Sequence, residues 1–410
     1  MKKILVLTST FPKSLYDEVP MFVYDQLSSL EKKYSELKFT VFVPHYYDKK
    51  EIDKSMRIIQ KRYHYFWPFS FEKLVGRGIL SAITTNKFNI LLIPFFIFFQ
   101  ILNTIIFIHT HRPDIIYAHW FFPQALTALV VKKIYKIPYV FTTHAFDAEV
   151  MKKIPILGNQ LTKSIIRNSE SYTSDSVNAE QKLHSFLKND EIDESKSLVI
   201  PMPLEFRENL DISFQVQESI NNMKKSNKNL LFIGRFAEKK GIEDLLLIFL
   251  KLKRLDSGVN LYLAGNGPKV NEYKKFVSKN NLTDSVYFLG YVNSTEKLEL
   301  YNNSDLVIIP SIKTKIGDQE GLPVVVLESL SRNTVTIASH QSNAGEIIRH
   351  GENGFLFDPE RTDEAVKIIK NILVNDKTEY KLLIKNANEL GGKYTSLNLA
   401  KKFYNHLFNF

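Results

Sequence analysis

The sequence of 410 residues contains no cysteine, which excludes disulfide bonds and metal sites built from thiolates. Near the start there is no long apolar stretch either, because the first apolar run covers only residues 4–7. A run of that length is too short for the hydrophobic region of a secretory signal peptide, so we interpret it as a first buried strand. Zinc-finger spacing and RNP-type aromatic motifs are also missing, and the sequence therefore gives no support to nucleic acid as a partner.

The balance of charge favours an anionic partner instead. Lys and Arg number 54 against 44 Asp and Glu, a formal net charge of +10 that is spread along the chain. Nucleotide phosphates, a lipid diphosphate or an acidic membrane surface would each suit such a charge. The length exceeds what one ordinary hydrophobic core supports and predicts two domains of roughly 200 residues.

Short apolar runs alternate with helical patterns through both halves of the chain, which predicts an α/β fold with two parallel sheets covered by helices. The predicted strands are residues 4–7, 39–43, 115–118, 139–142 and 198–200 in the first half, and 230–233, 261–264, 286–289, 306–309 and 334–338 in the second. Residues 205–228 are polar and weakly patterned, so we interpret them as the connection between the domains. This places the domains at residues 1–204 and 205–396.

One segment, residues 90–108, contains only three polar side chains, those of Gln100, Asn103 and Thr104. Its length makes it a candidate membrane span. Pro94 and the helical spacing of the polar residues are equally consistent with a helix buried in the first domain or lying on a membrane surface. The basic and aromatic residues 61–69 suit a membrane interface or the edge of a core.

Two carboxylates, Glu320 and Glu328, lie eight positions apart around the turn formed by Gly321, Leu322 and Pro323. Pro323 suits the start of a helix, which would place Glu328 one to two turns inside it. The helix start would attract an anion, and carboxylates beside an anion suit the hydroxyls of a nucleotide-sugar. An ordinary acidic junction between a loop and a helix explains this stretch equally well.

A second motif follows the strand predicted at residues 230–233, which ends at Gly234. Arg235 lies in the loop after it, and Lys240 precedes the next helix. Ligands of open α/β sheets bind beyond the carboxyl ends of the strands, so both cations are expected there, where they suit a diphosphate leaving group. A solvated charged loop is the alternative.

Weaker signals complete the candidate site. The turn containing Gly265 and Asn266 would let the backbone approach a ligand, and Tyr291 with the backbone of Val292 would flank a flat base or lie at the edge of the core. His119 and His144 each follow a predicted strand, where an imidazole binds a sugar hydroxyl or a diphosphate, or serves the structure only. His109 and His111 lack a third ligand for a metal.

The motifs of residues 230–358, and their order, resemble family 4 of the retaining glycosyltransferases, also called glycosyl transferases group 1. Members of this family have the GT-B fold of two Rossmann-like domains facing an interdomain cleft. The resemblance rests on strand-G-R-x4-K-G, A-G-x-G-P, F-L-G-Y-V, S-D-L-x-x-x-P-S and E-x7-E. Residues 114–120 and 143–147 resemble members that act in cell-surface polysaccharide synthesis. The resemblance also implies that a final helix, residues 397–410, packs back on the first domain.

Carried over to this sequence, the resemblance assigns a role to each site residue. Arg235 and Lys240 would hold the donor diphosphate, Glu320 and His144 would contact the donor sugar, and Glu328 would bind the ribose hydroxyls. The remaining donor contacts would come from Gly234, Gly265, Asn266, Tyr291, Val292, Gly321, Leu322 and Pro323. The resemblance implies retention of the anomeric configuration and no metal or other cofactor, with a nucleotide-diphosphate sugar as co-substrate.

The sequence departs from the family pattern in three places. Residues 13–20 replace a glycine-rich loop, residues 200–205 lack the usual Asn-Gly-Val-Asp, and residues 342–346 replace Gly-Gly-x-Pro-Glu. The last of these three segments affects contacts to the phosphate or the acceptor. A smaller departure is His144-Ala145 in place of the common His-Gly.

These residues predict a cytoplasmic, membrane-associated hexosyltransferase with a glycan acceptor, expected to be lipid-linked, and peripheral contact with the inner face of the cell membrane. Two alternatives remain open, since fold does not fix function. One is a sugar-nucleotide epimerase with the same fold, and the other is a non-catalytic scaffold of a polysaccharide assembly complex.

Overall fold

The computed structural model describes the chain except residues 16, 18, 47–51, 54–55, 76–78, 80–81, 84–85, 145, 153, 155, 189–191, 208–209, 227, 316, 375–379 and 409–410, and the side chains of residues 146, 147 and 149. The chain divides into two compact units, one formed by Met1–Pro203 with Ser396–Phe410 and the other by Leu204–Thr395. These boundaries lie within one residue of those placed from the sequence. Each unit has a parallel sheet and a core of its own.

The first unit is built on a seven-stranded sheet in the order β3-β2-β1-β4-β5-β6-β7, in which every paired strand is parallel. The central strands are apolar over nearly their whole length because helices cover both faces of a parallel sheet. The strands are β1 (Lys2–Leu7), β2 (Leu37–Pro44), β3 (Ile59–Tyr63), β4 (Ile115–His119), β5 (Tyr139–Thr143), β6 (Tyr172–Ser174) and β7 (Ser197–Val199). The helices are α1 (Phe22–Lys33), α2 (Ile93–Thr110), α3 (Leu126–Tyr135), α4 (Phe146–Lys152), α5 (Leu157–Asn168) and α6 (Val177–His184).

The second unit repeats this plan with six parallel strands in the order β10-β9-β8-β11-β12-β13. Both sheets thus have the strand order of a Rossmann fold. The strands are β8 (Asn229–Ile233), β9 (Asn260–Ala264), β10 (Val286–Gly290), β11 (Leu306–Ile309), β12 (Val335–Ser339) and β13 (Phe355–Phe357). The helices are α7 (Phe214–Met223), α8 (Ile242–Leu255), α9 (Val270–Lys279), α10 (Ser294–Asn302), α11 (Val324–Leu330), α12 (Thr362–Val374) and α13 (Lys381–Gly392).

The last helix, α14 (Ser396–Phe408), belongs to the first unit. Its buried Phe403 and Leu407 face the core, and its Tyr404 ring lies 4.2 Å from that of Tyr34. His406 Nδ1 and carbonyl oxygen both lie 2.8 Å from the hydroxyl of Ser171. The helix therefore packs on the first unit after the chain has completed the second, as the resemblance implies.

The interpretation of residues 205–228 as a connection is wrong. The segment contains α7, whose Val216, Ile220 and Met223 are buried in the core of the second unit. These residues are spaced four and three positions apart, which places them on one face of a helix. A single apolar stripe in an otherwise polar segment is therefore enough to dock it.

Helix α2 is not wholly buried, so that alternative for residues 90–108 is wrong. A 3₁₀ turn, Lys87–Leu92, leads into the helix, and the buried helical residues are Phe96, Gln100, Thr104 and Ile108. By length and composition the whole segment Lys87–Thr110 would suffice to cross a membrane. The contacts of its buried side distinguish a membrane span from a helix on the surface of the first unit.

Candidate active site

The strand order of the second unit places its ligand site at the carboxyl ends of β8 and β11. β9 lies on one side of β8 and β11 on the other, so these two neighbouring strands flank the point where the direction of winding reverses. Open α/β sheets bind ligands at this point. The loops that follow β8 and β11 carry Arg235, Lys240 and Glu320.

The loop after β8 is fixed against the loop after β11. A 3₁₀ turn, Glu238–Lys240, ends at Gly241, whose φ of +64° lies in the left-handed region that favours glycine. A Cβ at Gly241 would lie 1.9 Å from the carbonyl oxygen of Pro310. Next to this contact, the Ile312 N–H donates to the carbonyl oxygen of Lys239 at 2.8 Å. The two lysines of the turn are thereby held beside the loop that contains Glu320.

Two lysines and two carboxylates meet between these loops. The Nζ atoms of Lys240 and Lys239 lie 3.3 and 3.7 Å from Oε1 of Glu320. Lys239 Nζ also donates to Oδ1 of Asp318 at 3.2 Å. We call these four residues the ammonium–carboxylate cluster. Sequence reasoning brought Lys240 and Glu320 to this site but missed Lys239 and Asp318, each next to or two positions from an identified residue.

Glu320 and Lys239 are held in their charged forms despite their burial. Burial would raise the pKa of Glu320, but the ammonium groups of Lys240 and Lys239 outweigh it and hold the pKa below its usual value. Burial would likewise lower the pKa of Lys239, and the carboxylates of Glu320 and Asp318 outweigh it and raise the pKa. Each partner therefore stabilises the charged form of the other.

These shifts predict how the cluster contributes to stability as pH changes. The carboxylate of Glu320 contributes above its unfolded pKa, near 4.3, and this contribution is lost as pH falls through its lower folded pKa. The ammonium of Lys239 contributes below its unfolded pKa, near 10.4, and is lost as pH rises through its higher folded pKa. We expect the loss of unfolding free energy in Glu320→Gln, measured by urea unfolding, to stay constant from about pH 6 to about pH 9 and to shrink below about pH 4. A change in that difference near neutral pH would contradict this charge assignment.

The backbone of Glu320 is held by Asn343, which lies in the segment 342–346 that departs from the family pattern. Asn343, with φ of +60°, donates from Nδ2 to the carbonyl oxygen of Glu320 at 2.5 Å. Gln319 donates from Nε2 to the carbonyl oxygen of Gln341 at 2.8 Å. Oε1 of Glu320 is buried and, in the described part of the chain, accepts no hydrogen bond of good geometry in spite of the nearby ammonium groups. This oxygen keeps acceptor capacity next to its two ammonium partners.

Glu328 lies in the fifth position of α11, which begins after Pro323, so its predicted place one to two turns into a helix is confirmed. Its side chain is buried and contacts α10 through both oxygens. Oε1 forms an ion pair with Lys297, and Oε2 accepts from the hydroxyl of Tyr301 at 2.8 Å. Burial, followed by the charge of Glu328, raises the pKa of Tyr301 well above its usual value, so this hydroxyl remains a donor. Sequence reasoning missed both partners, which lie four positions apart on one helical face.

The glycine-rich turns pack closely at the same end of the sheet. Gly265 donates to the carbonyl oxygen of Gly290 at 2.6 Å, and Gly234 donates to that of Ala264 at 2.9 Å. Around these turns, Arg235, Asn266 and Tyr291 are exposed. Val292 and Leu322 are buried in the core, which leaves only their backbone for a ligand.

The first unit carries the two histidines. His144, after β5, places Nδ1 3.3 Å from Oδ2 of Asp175 and packs against the ring of Trp120. A proton on Nδ1 directed at Asp175 leaves Nε2 as an acceptor, and this buried Nε2 has no hydrogen-bond partner within the described residues. Asp175 was missed from the sequence, and Ala145 lies outside the described residues.

His119 lies at the end of β4 and is completely buried. Burial, with the nearby His144 and His406, lowers its pKa well below the usual value, so the ring is neutral. Its place is therefore in the core below His144, next to the ring of Tyr117. Both histidines have ring nitrogens without a hydrogen-bond partner among the described residues, and His144 differs in having the carboxylate of Asp175 next to its ring.

The chain is similar to several known proteins. Residues 213–390, nearly all of the second unit, match the family "Glycosyl transferases group 1". Over these residues the chain is similar to the group 1 glycosyltransferases. An uncharacterized glycosyltransferase of Methanocaldococcus jannaschii is 26% identical over 282 residues, which cover 69% of this chain and 71% of that protein. The N-acetyl-alpha-D-glucosaminyl L-malate synthase of Bacillus anthracis is 24% identical over 310 residues, which cover 74% and 78%.

Solved structures share the fold of this chain. The crystal structure of Anabaena HepE in complex with UDP-glucose aligns over 100% of both chains with a TM-score of 0.71 and 16% identity. The predicted GT-B class, with two parallel-sheet α/β units, is thereby confirmed. At this identity the likeness extends to the fold and not to the ligand.

Proposed function

We propose that this chain is a retaining, metal-independent hexosyltransferase of the group 1 glycosyltransferases. It transfers a hexosyl unit from a nucleotide-diphosphate sugar to a lipid-linked glycan acceptor. The reaction takes place in the cytoplasm and belongs to cell-surface polysaccharide biosynthesis. The observation that carries the proposal is the ammonium–carboxylate cluster at the carboxyl ends of β8 and β11. It brings cations for a diphosphate and a buried acceptor for a hydroxyl within 3.7 Å of each other.

The cations take the diphosphate in this proposal. Arg235 and Lys240 hold it as the family resemblance implies, and Lys239 joins them because its ammonium lies in the same cluster. Attraction to these cations grows as negative charge develops on the leaving diphosphate, which lowers the barrier. Fixed cations in this place make a metal unnecessary, so chelators are expected to leave activity unchanged. HepE was crystallised with UDP-glucose, which supports a donor of this class.

The carboxylates take hydroxyls. Oε1 of Glu320 lacks a hydrogen bond of good geometry and accepts one from the donor sugar. Glu328 has one ion pair and one hydrogen bond, which leaves acceptor capacity on both oxygens for the ribose. In the first unit, Nε2 of His144 accepts from a sugar hydroxyl. Lys297 and Tyr301 orient Glu328, and Asp175 orients His144.

Retention is proposed from the family resemblance, and the lack of a free carboxylate nucleophile in this set favours a front-face route over a double displacement. Both glutamates are engaged by cations or a tyrosine hydroxyl, so neither is placed as a free carboxylate. In the reaction, the bond between the anomeric carbon and the phosphate oxygen breaks, and the acceptor hydroxyl forms the new bond on the same face. Its proton goes to the leaving phosphate oxygen, so no protein base is required.

The test combines binding with product analysis. A panel of nucleotide-sugars is screened by thermal shift, because a ligand at about 100 times its Kd adds about 2.7 kcal/mol to the folded state. At least one donor is expected to raise the melting temperature by several degrees, and with a lipid-linked glycan to give a product whose anomeric linkage, read by NMR, matches the donor. A product of inverted configuration would contradict retention. A free epimerised nucleotide-sugar would indicate an epimerase, and binding without transfer to any acceptor would indicate a scaffold.

A further inference from the structure

Helix α2 has two polar residues on its buried side, next to the buried Phe96 and Ile108, and its outer side is apolar as well. Gln100 and Thr104 are buried, and Gln100 accepts from the hydroxyl of Tyr63 at 3.0 Å and donates to that of Thr127 at 2.9 Å. On the opposite side, Phe95, Phe98, Leu102 and Ile106 are exposed. Their spacing of three and four positions makes them one continuous helical face. In a helix whose outer face contacts only water, that outer face is polar and the apolar residues face the core.

The loop before the helix extends this surface. Trp67, Phe69 and Phe71 are exposed, and the 3₁₀ turn adds Phe88, Ile90 and Leu91. The ring of Phe66 joins the loop to the helix, since it lies 6.4 Å from Phe71 and 5.1 Å from Phe95. We call the exposed residues of the loop, turn and helix the aromatic face: Trp67, Phe69, Phe71, Phe88, Ile90, Leu91, Phe95, Phe98, Leu102 and Ile106.

The loop is held rigidly in this exposed position by a buried carboxylate. Oε1 of Glu72 accepts from the N–H groups of Tyr65 and Phe66 at 2.7 and 3.2 Å. Oε2 lies 2.5 Å from Nδ1 of His45 and 2.9 Å from Nδ1 of His64, whose ring stacks on Phe69. Since all these bonds converge on one side chain, the exposure of Trp67, at 78%, belongs to an ordered loop.

The charges around the aromatic face are basic. Between residues 57 and 112 the sequence has seven basic side chains (Lys61, Lys73, Lys87, Arg57, Arg62, Arg77 and Arg112), and its one acid, Glu72, is buried. Lys61, Lys73, Lys87 and Arg112 are exposed, and Lys61 Nζ lies 5.0 Å from the ring centre of Phe107. An apolar face with an exposed tryptophan and a basic border is complementary to a bilayer with anionic headgroups.

The buried side of α2 excludes a membrane span. A span would take Gln100 from Tyr63 and Thr127 and would remove Phe96 and Ile108 from the core of the first unit. The same side chains hold α2 along its length against the first unit, so only its outer face can contact lipid. From these contacts we propose that the aromatic face inserts into the surface of an anionic phospholipid bilayer, with α2 lying in the membrane plane. This deepens the lipid-linked acceptor of the proposed function, but its test needs no substrate, so the two proposals fail separately.

The test measures sedimentation of the full chain with vesicles of phosphatidylcholine, with and without phosphatidylglycerol. Wild type is expected to bind vesicles with phosphatidylglycerol more tightly than vesicles without it, and salt should reduce this difference in affinity. Phe98→Ser with Ile106→Ser is expected to lower the partition coefficient at least about tenfold, because both side chains leave water only on insertion. Phe214→Ser with Leu382→Ser, which changes two still more exposed apolar residues of the second unit, is the matched control and should bind as wild type. Equal partitioning of the wild type and the Phe98/Ile106 variant would overturn the proposal.

A second measurement uses Trp67 itself and needs no polar variant. The chain has two tryptophans, and only Trp67 lies on the aromatic face. Anionic vesicles are expected to shift the tryptophan emission of the wild type to the blue, and Trp67→Phe is expected to lose that shift while sedimenting with vesicles as before. No shift in the wild type would overturn the proposal. A wild-type dimer that Phe98→Ser with Ile106→Ser makes monomeric, without vesicle binding, would assign the face to a second copy of the chain instead.

Discussion

Lys240→Ala is expected to lower kcat/KM for sugar transfer by about 10²–10³-fold, which corresponds to about 3–4 kcal/mol of transition-state stabilisation. The ammonium lies 3.3 Å from Glu320 in a mostly buried cluster, where its attraction to a leaving diphosphate is little screened by water. The fold should be retained, because Lys239 remains 3.7 Å from the same carboxylate. Steady-state kinetics with the preferred donor, alongside a thermal melt, would measure both quantities.

Lys251→Ala is the matched control for this experiment. Lys251 belongs to the same unit and pairs with Asp363 at 2.6 Å, but both side chains are well exposed and lie away from the cluster loops. An exposed pair contributes roughly 0.2–1 kcal/mol, so this variant should transfer sugar at nearly the wild-type rate. Lys240→Arg keeps the charge and should recover part of the activity. Full activity in Lys240→Ala would rule out the proposed diphosphate site.

Gly265→Ala is expected to destabilise the second unit by roughly 3 kcal/mol, or about 6–12 °C in melting temperature. Gly265 has φ of +142°, and a Cβ there would lie 1.8 Å from the carbonyl oxygen of Gly234. The strands β8 and β9 must separate at their carboxyl ends to make room, which would also displace Arg235. Thermal unfolding would give the first effect and nucleotide binding the second.

Two other glycines separate the causes of this effect. Gly290 has φ of +70° but nothing within 4 Å of an added Cβ, so Gly290→Ala should show only the cost of the backbone conformation. Gly392 is open and has no left-handed backbone, so Gly392→Ala should be neutral or slightly stabilising. If Gly265→Ala melts like Gly392→Ala, the close packing of the turns after β8 and β9 is not as described.

The sequence predicts most strands of both sheets, because most of them are continuous apolar runs. Ten predicted strands lie at ten of the observed positions, among them β11 at Leu306–Ile309, because a continuous apolar run is required there. The three strands that were missed are β3, β6 and β13. β3 contains Lys61 and Arg62 at the edge of its sheet, and β6 has Thr173 and Ser174 among its three residues. β13 has only three residues, as does β7, which the apolar residues 198–200 nevertheless predict.

The candidate site is predictable where chemistry and chain position coincide. Lys240 and Glu320 follow strands that are neighbours in the sheet, so they could be placed together before the contact was seen. Lys239 and Asp318 could not, because the direction of a side chain in a loop depends on contacts such as Gly241 with Pro310. Asp175 is likewise 31 residues from His144 in the chain, with no local signal to link them.

Helix α2 shows the limit of composition most directly. The apolar run of residues 90–108 is consistent with a buried helix, a surface helix and a membrane span. The reason is that periodicity places Gln100 and Thr104 on one side of the helix without showing which side faces the core. The hydrogen bonds of Gln100 to Tyr63 and Thr127 supply that direction. The side opposite Gln100 and Thr104 is consequently the outer one.

The most direct test of the central claim is calorimetric titration of the wild type and Lys240→Ala with nucleoside diphosphates and with the matching nucleosides. The wild type is expected to bind one diphosphate at least about 100-fold more tightly than its nucleoside, a margin of about 2.7 kcal/mol. Lys240→Ala should lose most of that margin while its nucleoside affinity stays the same. A wild type that binds diphosphate and nucleoside equally, or a Lys240→Ala variant that keeps the full margin, would contradict the claim that the ammonium–carboxylate cluster holds the donor diphosphate.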